Sequence, residues 1–345
     1  MRLITGWMLR TVTVCTLALG WLTSAPCQAL AYSNLYVFGD SLSDSGNNAL
    51  VLAPNVTPTP ISGNSFIPTF PYASGHYTNG PVWAQDFAST LGLSATPSLA
   101  GGTDYAFGGA TTGPLTPNPF PGGLFSPFPP SLETQVAFFL AQSGNVAPAG
   151  ALYVVAGGGN DALNALVAAA ACGNNVGCIN SVIQAAALSF GGNVATIVAE
   201  LEQAGATHFV VWNTPNIGVT PFVETLGPQV SALATLIAAS MNAAQLTALG
   251  GDTDVRLFDL FGLVDGILAN PPAFGLTNVT DACAQFTTCD PSQFLFWDGI
   301  HPTSAGVRVI SDAMLATAPE PATLLLLGSG LCGVALLARR RRAQS

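Results

Sequence analysis

The chain contains no lysine, and its eight cationic side chains are all arginine among 345 residues. Without lysine there is no Walker A loop and no Schiff-base amine. Between residues 32 and 318 only Arg256 and Arg308 remain against seventeen Asp and Glu; two minus seventeen leaves a net charge of −15. Such a surface repels nucleic acid, which is held mainly by phosphate neutralisation, and disfavours adsorption to anionic lipid. Histidine is nearly as scarce, at His76, His208 and His301 only, so few groups can exchange protons near neutral pH. No Gly-x-Ser-x-Gly occurs between residues 32 and 317, which removes the nucleophile elbow of α/β-hydrolases. Charged residues make up 8% of the chain against 49% hydrophobic, with 37 glycines and 25 prolines. That composition suits small-residue packing and long surface loops.

The ends read as targeting segments. Residues 1–31 carry Arg2 and Arg10, an apolar stretch around Val12–Trp21 and then Ala29-Leu30-Ala31. This is the order of a secretory signal peptide cleaved after Ala31; a retained membrane anchor is the competing reading, weakened by the short apolar segment. At the other end Pro319-Glu320-Pro321 precedes an apolar run from Ala322 to Ala338 and the block Arg339-Arg340-Arg341-Arg342. Such a run is at the lower limit for a bilayer span, and the arginines favour the cytoplasmic side. The body, residues 32–317, would then face outward as one domain, with 318–345 as the tail.

Two cysteines, Cys15 and Cys27, belong to the signal segment and Cys332 to the tail. The remaining four form two close pairs, Cys172 with Cys178 and Cys283 with Cys289. Four cysteines allow three pairings, and the spacing favours two short disulfide loops. A zinc site is the alternative, made poor by the five-residue gaps and the lack of nearby histidine.

Within the body, short apolar runs alternate with helical patterns. Strands are expected at Leu35–Phe38, Tyr105–Phe107, Leu152–Ala156, His208–Trp212 and Val255–Leu260. Helices are expected at Pro81–Leu91, Leu132 to about Gln142, from near Asp161, Val182–Glu202, Val230–Leu249 and Ser304–Leu315. Residues 52–80 and the Phe- and Pro-rich stretch 117–130 read as loops; the latter could rim a site or simply cover the body. The alternation argues for an α/β fold with a parallel sheet covered on both faces. Sites on such sheets lie beyond the carboxyl ends of the strands, where Ser41, Gly109 and Asn160 fall.

Chemistry concentrates in two places. Ser41 follows the first strand in Gly39-Asp40-Ser41-Leu42, and Asp298-Gly299-Ile300-His301 sets a carboxylate and an imidazole three residues apart. A hydroxyl nucleophile, a base and an acid to orient it are the parts of a hydrolytic triad. Asp44, Ser45, Asn47 and Asn48 lack EF-hand spacing and read as a polar turn bracing Ser41. His208 at a strand start reads as structural, and His76 as a loop residue.

These two segments, with Gly108-Gly109-Ala110 and Gly159-Asn160-Asp161, resemble in order and content the four blocks of GDSL/SGNH hydrolases, over roughly residues 34–315. Tyr77-Thr78-Asn79-Gly80-Pro81-Val82-Trp83 and Trp212-Asn213-Thr214-Pro215-Asn216 add smaller matches, whereas Asp104 stands where relatives usually carry asparagine. The resemblance implies a three-layer α/β/α flavodoxin-like fold with a central parallel sheet. It implies a serine esterase or lipase that uses Ser41, His301 and Asp298 and needs no metal or organic cofactor. The oxyanion hole would comprise the Ser41 and Gly109 N–H groups and the Asn160 amide, freed for that task if Asp161 caps the following helix. The tail resembles the PEP-CTERM sorting signal. That implies an exosortase-type partner, a membrane-anchored intermediate held through the C-terminal helix, and a final place at the cell surface or extracellular matrix of a Gram-negative bacterium; a plain C-terminal anchor is the alternative. The expected substrate is a lipid, a small acyl ester or an acetylated glycan. The same residues would serve an O-acetyl-polysaccharide deacetylase, and a surface-binding protein that has lost activity is the non-enzymatic alternative.

Overall fold

The computed structural model describes residues 32–52, 75–113 and 128–318. The signal segment 1–31, the tail from 319 onward, residues 53–74 of the first long loop and residues 114–127 of the Phe-Pro stretch lie outside the described residues. The described residues, Tyr32 to Ala318, form one compact unit.

Its centre is a parallel sheet in the order β1 (Leu35–Gly39), β2 (Leu152–Ala156), β3 (Phe209–Trp212) and β4 (Val255–Phe258). Helices α1 (Asn47–Leu52), α2 (Trp83–Thr90) and α3 (Leu132–Gln142) separate β1 from β2. Helices α4 (Gly159–Ala171) and α5 (Val176–Gln203) lead to β3, and α6 (Pro221–Glu224) and α7 (Pro228–Leu249) to β4. Because strand side chains alternate in direction, each strand supplies two cores. Phe38, Tyr153, Val155, Phe209 and Val211 pack with α3, α4, α5 and α7, through residues such as Leu132, Leu166, Phe190 and Ile237. Leu35, Val37, Leu152, Val154, Val210 and Trp212 pack with α2 and with α9 (Ser304–Thr317), through Trp83, Phe87, Ile310 and Met314. The expected α/β/α layering around a parallel sheet is therefore what the chain forms. Helices α5 and α7 are long and apolar enough to cross a bilayer by composition, yet both send large side chains into the first core.

Several features depart from the sequence-based expectation. Tyr105–Phe107 is not a strand: only isolated bridges form, from Asp104 to Val37 and to Pro97, with Tyr105 N–H donating to Val37 O and Phe107 N–H to Gly39 O. The segment borders the sheet edge and then turns at Gly109, with φ +83°, before a ladder can extend. Helix α8 (Leu260–Ala269) and a small parallel pair, β5 (Asn278–Ala282) with β6 (Phe294–Phe296), were not expected. Asn-Val-Thr-Asp-Ala has no apolar alternation, so β5 carries no strand signal. Phe128, at the end of the Phe-Pro stretch, is buried edge-on against Phe107 at 6.3 Å, so this residue covers the body. Both local cysteine pairs are disulfides; Cys172–Cys178 joins α4 to α5, and Cys283–Cys289 closes the link between β5 and β6.

One buried side chain ends the first strand. Gln135 of α3 accepts from Gly39 N–H at 2.9 Å and donates to Gly39 O at 2.8 Å and Pro130 O at 3.1 Å. It supplies ladder partners where β1 stops, immediately before Asp40 and Ser41. Gln135→Leu leaves Gly39 N–H without this acceptor and Pro130 O without this donor, while Gly39 O keeps Phe107 N–H, and is expected to cost about 2–3 kcal/mol. Urea unfolding at unchanged m measures it; a loss under about 0.5 kcal/mol would contradict this role.

Candidate active site

The carboxyl edge of the sheet brings Ser41, Asp298 and His301 into one hydrogen-bonded line. His301 Nδ1 lies 2.7 Å from Asp298 Oδ2, and His301 Nε2 lies 2.8 Å from Ser41 Oγ. An ionised carboxylate only accepts, so Nδ1 carries the proton and Nε2 is left to accept from the serine hydroxyl. Asp298 is fully buried, and its Oδ1 accepts from the N–H groups of Ile300 at 2.7 Å and His301 at 2.6 Å. The turn is closed by Trp297 N–H to His301 O at 2.7 Å, and α9 starts three residues on, with the Thr303 hydroxyl accepting from Gly306 N–H. The three-residue spacing thus fixes the Asp298–His301 pair locally, whereas Ser41 arrives from 260 residues away.

The two other expected oxyanion donors come from other loops: Asn160 lines the same cavity as Ser41, and Gly109 follows Gly108, whose N–H is bound by Asp44 of the Ser41 loop. Gly109 occupies the left-handed region, which glycine adopts without a Cβ penalty. Among the described residues, neither Ser41 N–H nor Gly109 N–H has an acceptor, so both are available to a developing negative charge. Asn160, in the first turn of α4, donates through Nδ2 to Ala110 O at 2.9 Å. This holds it beside the Gly109 turn, with the second amide N–H still to offer. The expected helix cap is corrected: Gly158 occupies the N-cap position and no side chain caps α4. Asp161 instead accepts from Thr112 Oγ1 at 2.7 Å and from Thr112 N–H, fastening the loop after Gly109 to the helix.

The polar turn after Ser41 reaches further than expected. Asp44 Oδ1 accepts from the N–H groups of Gly46 and Asn47; Oδ2 accepts from Gly108 at 2.9 Å and Asn48 at 3.3 Å. Asn47 donates to Asp104 O and Ala106 O. Asp104, the departure from the usual asparagine, accepts from Ser45 N–H at 3.0 Å and Ala106 N–H at 2.9 Å, so its carboxylate fills the local bonds. Tyr77, whose role the sequence reading did not name, packs its ring against His301. Its Tyr-Thr-Asn-Gly block was the available signal. His208 serves structure, stacking edge-on with Tyr32 at 5.8 Å, and His76 sits in its loop with burial holding its pKa down.

Burial shapes the electrostatics. Asp40 is pushed up to about 7 by desolvation, opposed chiefly by the Leu42 N–H and then by His301. Asp44, facing four N–H donors, reaches about 6. Asp104 and Asp161 are raised by the same desolvation. A cavity of about 80 Å³ adjoins Ser41, with Asp40, Asn160 and His301 in its polar lining and Leu163, Ile217, Val264, Ile267, Leu295 and Ile310 in its apolar lining. Among the described residues no group of His, Cys, Asp and Glu gathers in a metal-binding cluster.

The chain belongs to the GDSL-like lipase/acylhydrolase family, whose model matches residues 35–314. Residues 317–342 match the PEP-CTERM protein-sorting motif, which indicates export with membrane-anchored sorting. Among curated relatives, Esterase EstA of Pseudomonas aeruginosa is 32% identical over 92% of this chain and 51% of its own length. A protein of the trpE–trpG intergenic region of Pseudomonas putida is 31% identical over 86% of this chain and 50% of its own length. The chain therefore spans about half the length of these relatives. An Arabidopsis thaliana GDSL esterase/lipase is 26% identical over 82% of this chain and 88% of its length. Among solved structures, the extracellular lipase of Streptomyces rimosus covers 83% of this chain and all of its own, at 15% identity and a TM-score of 0.44.

The buried carboxyls predict a pH dependence of stability. A folded pKa above the ordinary carboxylate value means that the folded state holds the proton longer. Its stabilisation is complete in acid and is lost as pH rises through about 7 for Asp40. Unfolding free energy should therefore fall between pH 4 and 7.5. Asp40→Asn should flatten that slope by up to about 1.4 kcal/mol per pH unit. Urea titrations across the window test this; a parent stability that rises with pH would contradict it.

Proposed function

We propose that the protein is an exported serine hydrolase that cleaves carboxylic esters through an acyl-enzyme. The observation that carries the reading is the buried Asp298–His301–Ser41 line beside an apolar cavity. Ser41 attacks the ester carbonyl while His301 Nε2 takes its proton; Asp298 holds the imidazole in that tautomer and stabilises the imidazolium. The Ser41 and Gly109 N–H groups and the Asn160 amide receive the oxyanion. His301 then gives its proton to the leaving alcohol, and water attacks the acyl-enzyme by the same route.

The working unit in this reading is residues 32–317, with 1–31 removed on export and 318–345 acting as a sorting tail for an exosortase-type partner. Final placement is the cell surface or matrix. The apolar lining favours an acyl chain over acetate. A second reading, deacetylation of an O-acetylated glycan, draws on a groove of about 560 Å³ between α4 and α5, lined by Asp161, Asn164, Ser189 and Asn193 among others.

Hydrolysis of p-nitrophenyl acetate, butyrate and palmitate by the full chain tests both. Ser41→Ala and His301→Ala are each expected to lower kcat by about three to six orders of magnitude with folding intact, and Asp298→Asn by less. A folded Ser41→Ala protein that retains turnover would sink the mechanism. Butyrate or palmitate outpacing acetate supports the acyl-ester reading; activity confined to acetyl esters, with release of acetate from acetylated glycans, selects the second.

A further inference from the structure

We infer that Tyr77 is a positioning residue of this centre: its ring sets the plane of the His301 imidazole, and its hydroxyl ties that plane through Asn48 to the Gly108–Gly109 turn. The inference rests on the triad reading above.

The imidazole is held by two bonds, Nδ1 to Asp298 and Nε2 to Ser41, both at ring atoms and both directed along the ring plane. Two such bonds fix the position of the nitrogens but do not themselves resist rocking of the ring about the line joining them. A contact on the flat face restrains that motion. The Tyr77 ring supplies it, with centroids 5.2 Å apart and planes inclined at 33°. Tyr77 is itself 2% exposed, so it has no room to swing away.

The other side of Tyr77 faces the oxyanion turn. Its hydroxyl accepts from Asn48 Nδ2 at 2.7 Å, and the same amide nitrogen donates to Gly108 O at 3.0 Å. Gly108 N–H is held by Asp44. A Cβ on Gly108 would overlap the Tyr77 ring atoms, so only glycine lets the backbone approach this closely. Base and oxyanion donor are therefore spaced by one aromatic side chain. Phenylalanine would preserve the ring contact but not the tie to Asn48, which is a reason for tyrosine here. Burial and the neighbouring Asp44 keep the hydroxyl protonated, so no phenolate charge competes with Asp298.

The test compares Tyr77→Leu and Tyr77→Phe in the full chain by ester kinetics and by NMR of histidine-labelled protein, in which three histidines give few signals. Tyr77→Leu should lower kcat about 100-fold with KM within about twofold, the scale expected when a reacting group is displaced by about an ångström. The His301 Nδ1 proton resonance should broaden or vanish while the His208 signals stay in place. Tyr77→Phe should keep that resonance and lose about fivefold in kcat, the worth of one hydrogen bond.

A folded Tyr77→Leu protein with kcat within about threefold of the parent would overturn the inference on this scale. So would a large loss of kcat with the His301 resonance unchanged. If Tyr77→Leu does not fold, Tyr77→Phe decides: a drop in kcat at constant KM supports the tie, and unchanged kcat overturns it. Ser41→Ala in the same assay separates the two readings. Activity surviving that change removes the triad itself, whereas activity abolished by it but untouched at Tyr77 removes only the positioning role.

Discussion

Asp44 holds two loops together by accepting backbone N–H groups from both. Three of those donors belong to its own turn, at Gly46, Asn47 and Asn48; the fourth, Gly108, belongs to the turn that presents Gly109. Taking a carboxylate out of water is costly unless several donors replace the lost hydration. Here four donors offset part of that cost, the pKa still being raised to about 6 by burial, and one side chain spans the Ser41 loop and the Gly109 turn. Asn47 and Asn48 add crosslinks to Asp104, Ala106, Tyr77 and Gly108. The segment after Ser41 is thus less a loop than a buried polar bracket, and such brackets are stable only when nearly every member is satisfied.

The bracket works because the sheet delivers it to the correct edge. Parallel pairing sets Gly39 opposite Ala156, so the loops after β1 and β2 start level with each other. Asn160 then sits in the first turn of α4 and bonds to Ala110. Asp298 and His301 come from outside the sheet, on the tight turn after β6, which is anchored by α9 and by Phe222 N–H to Gly299 O at 2.8 Å. In a body with only two cationic residues, the carboxyls here have little ionic pairing to draw on. Backbone amides and burial set their protonation instead.

Membership of the GDSL-like lipase/acylhydrolase family and the PEP-CTERM motif place an exported hydrolase fold ahead of a sorting tail. The Pseudomonas relatives are about twice as long, so their activities do not carry over to this chain, whose own cavity is lined mainly by apolar side chains.

Much was legible before the structure. Apolar runs of four or five residues followed by glycine marked β1 and β2, and the helical periods of α3 and α7 were read nearly to their ends, because pattern and punctuation are local. Asp298 and His301 were legible as a pair because three residues of one turn suffice to join them. Asp161 was misassigned because a carboxylate in a first turn looks like a cap, and nothing local reveals Thr112 as its partner. Tyr105–Phe107 looked like a strand since composition cannot show where a ladder stops. The sequence by itself determined the residue types, the turn that joins Asp298 to His301, and the alternation that builds a parallel sheet. Only the tertiary structure decided that Ser41 meets His301, that Gln135 ends β1, and that Tyr77 lies against the imidazole. Those contacts join segments tens to hundreds of residues apart, and the packing of two cores on one sheet, not any local preference, brings them within bonding distance.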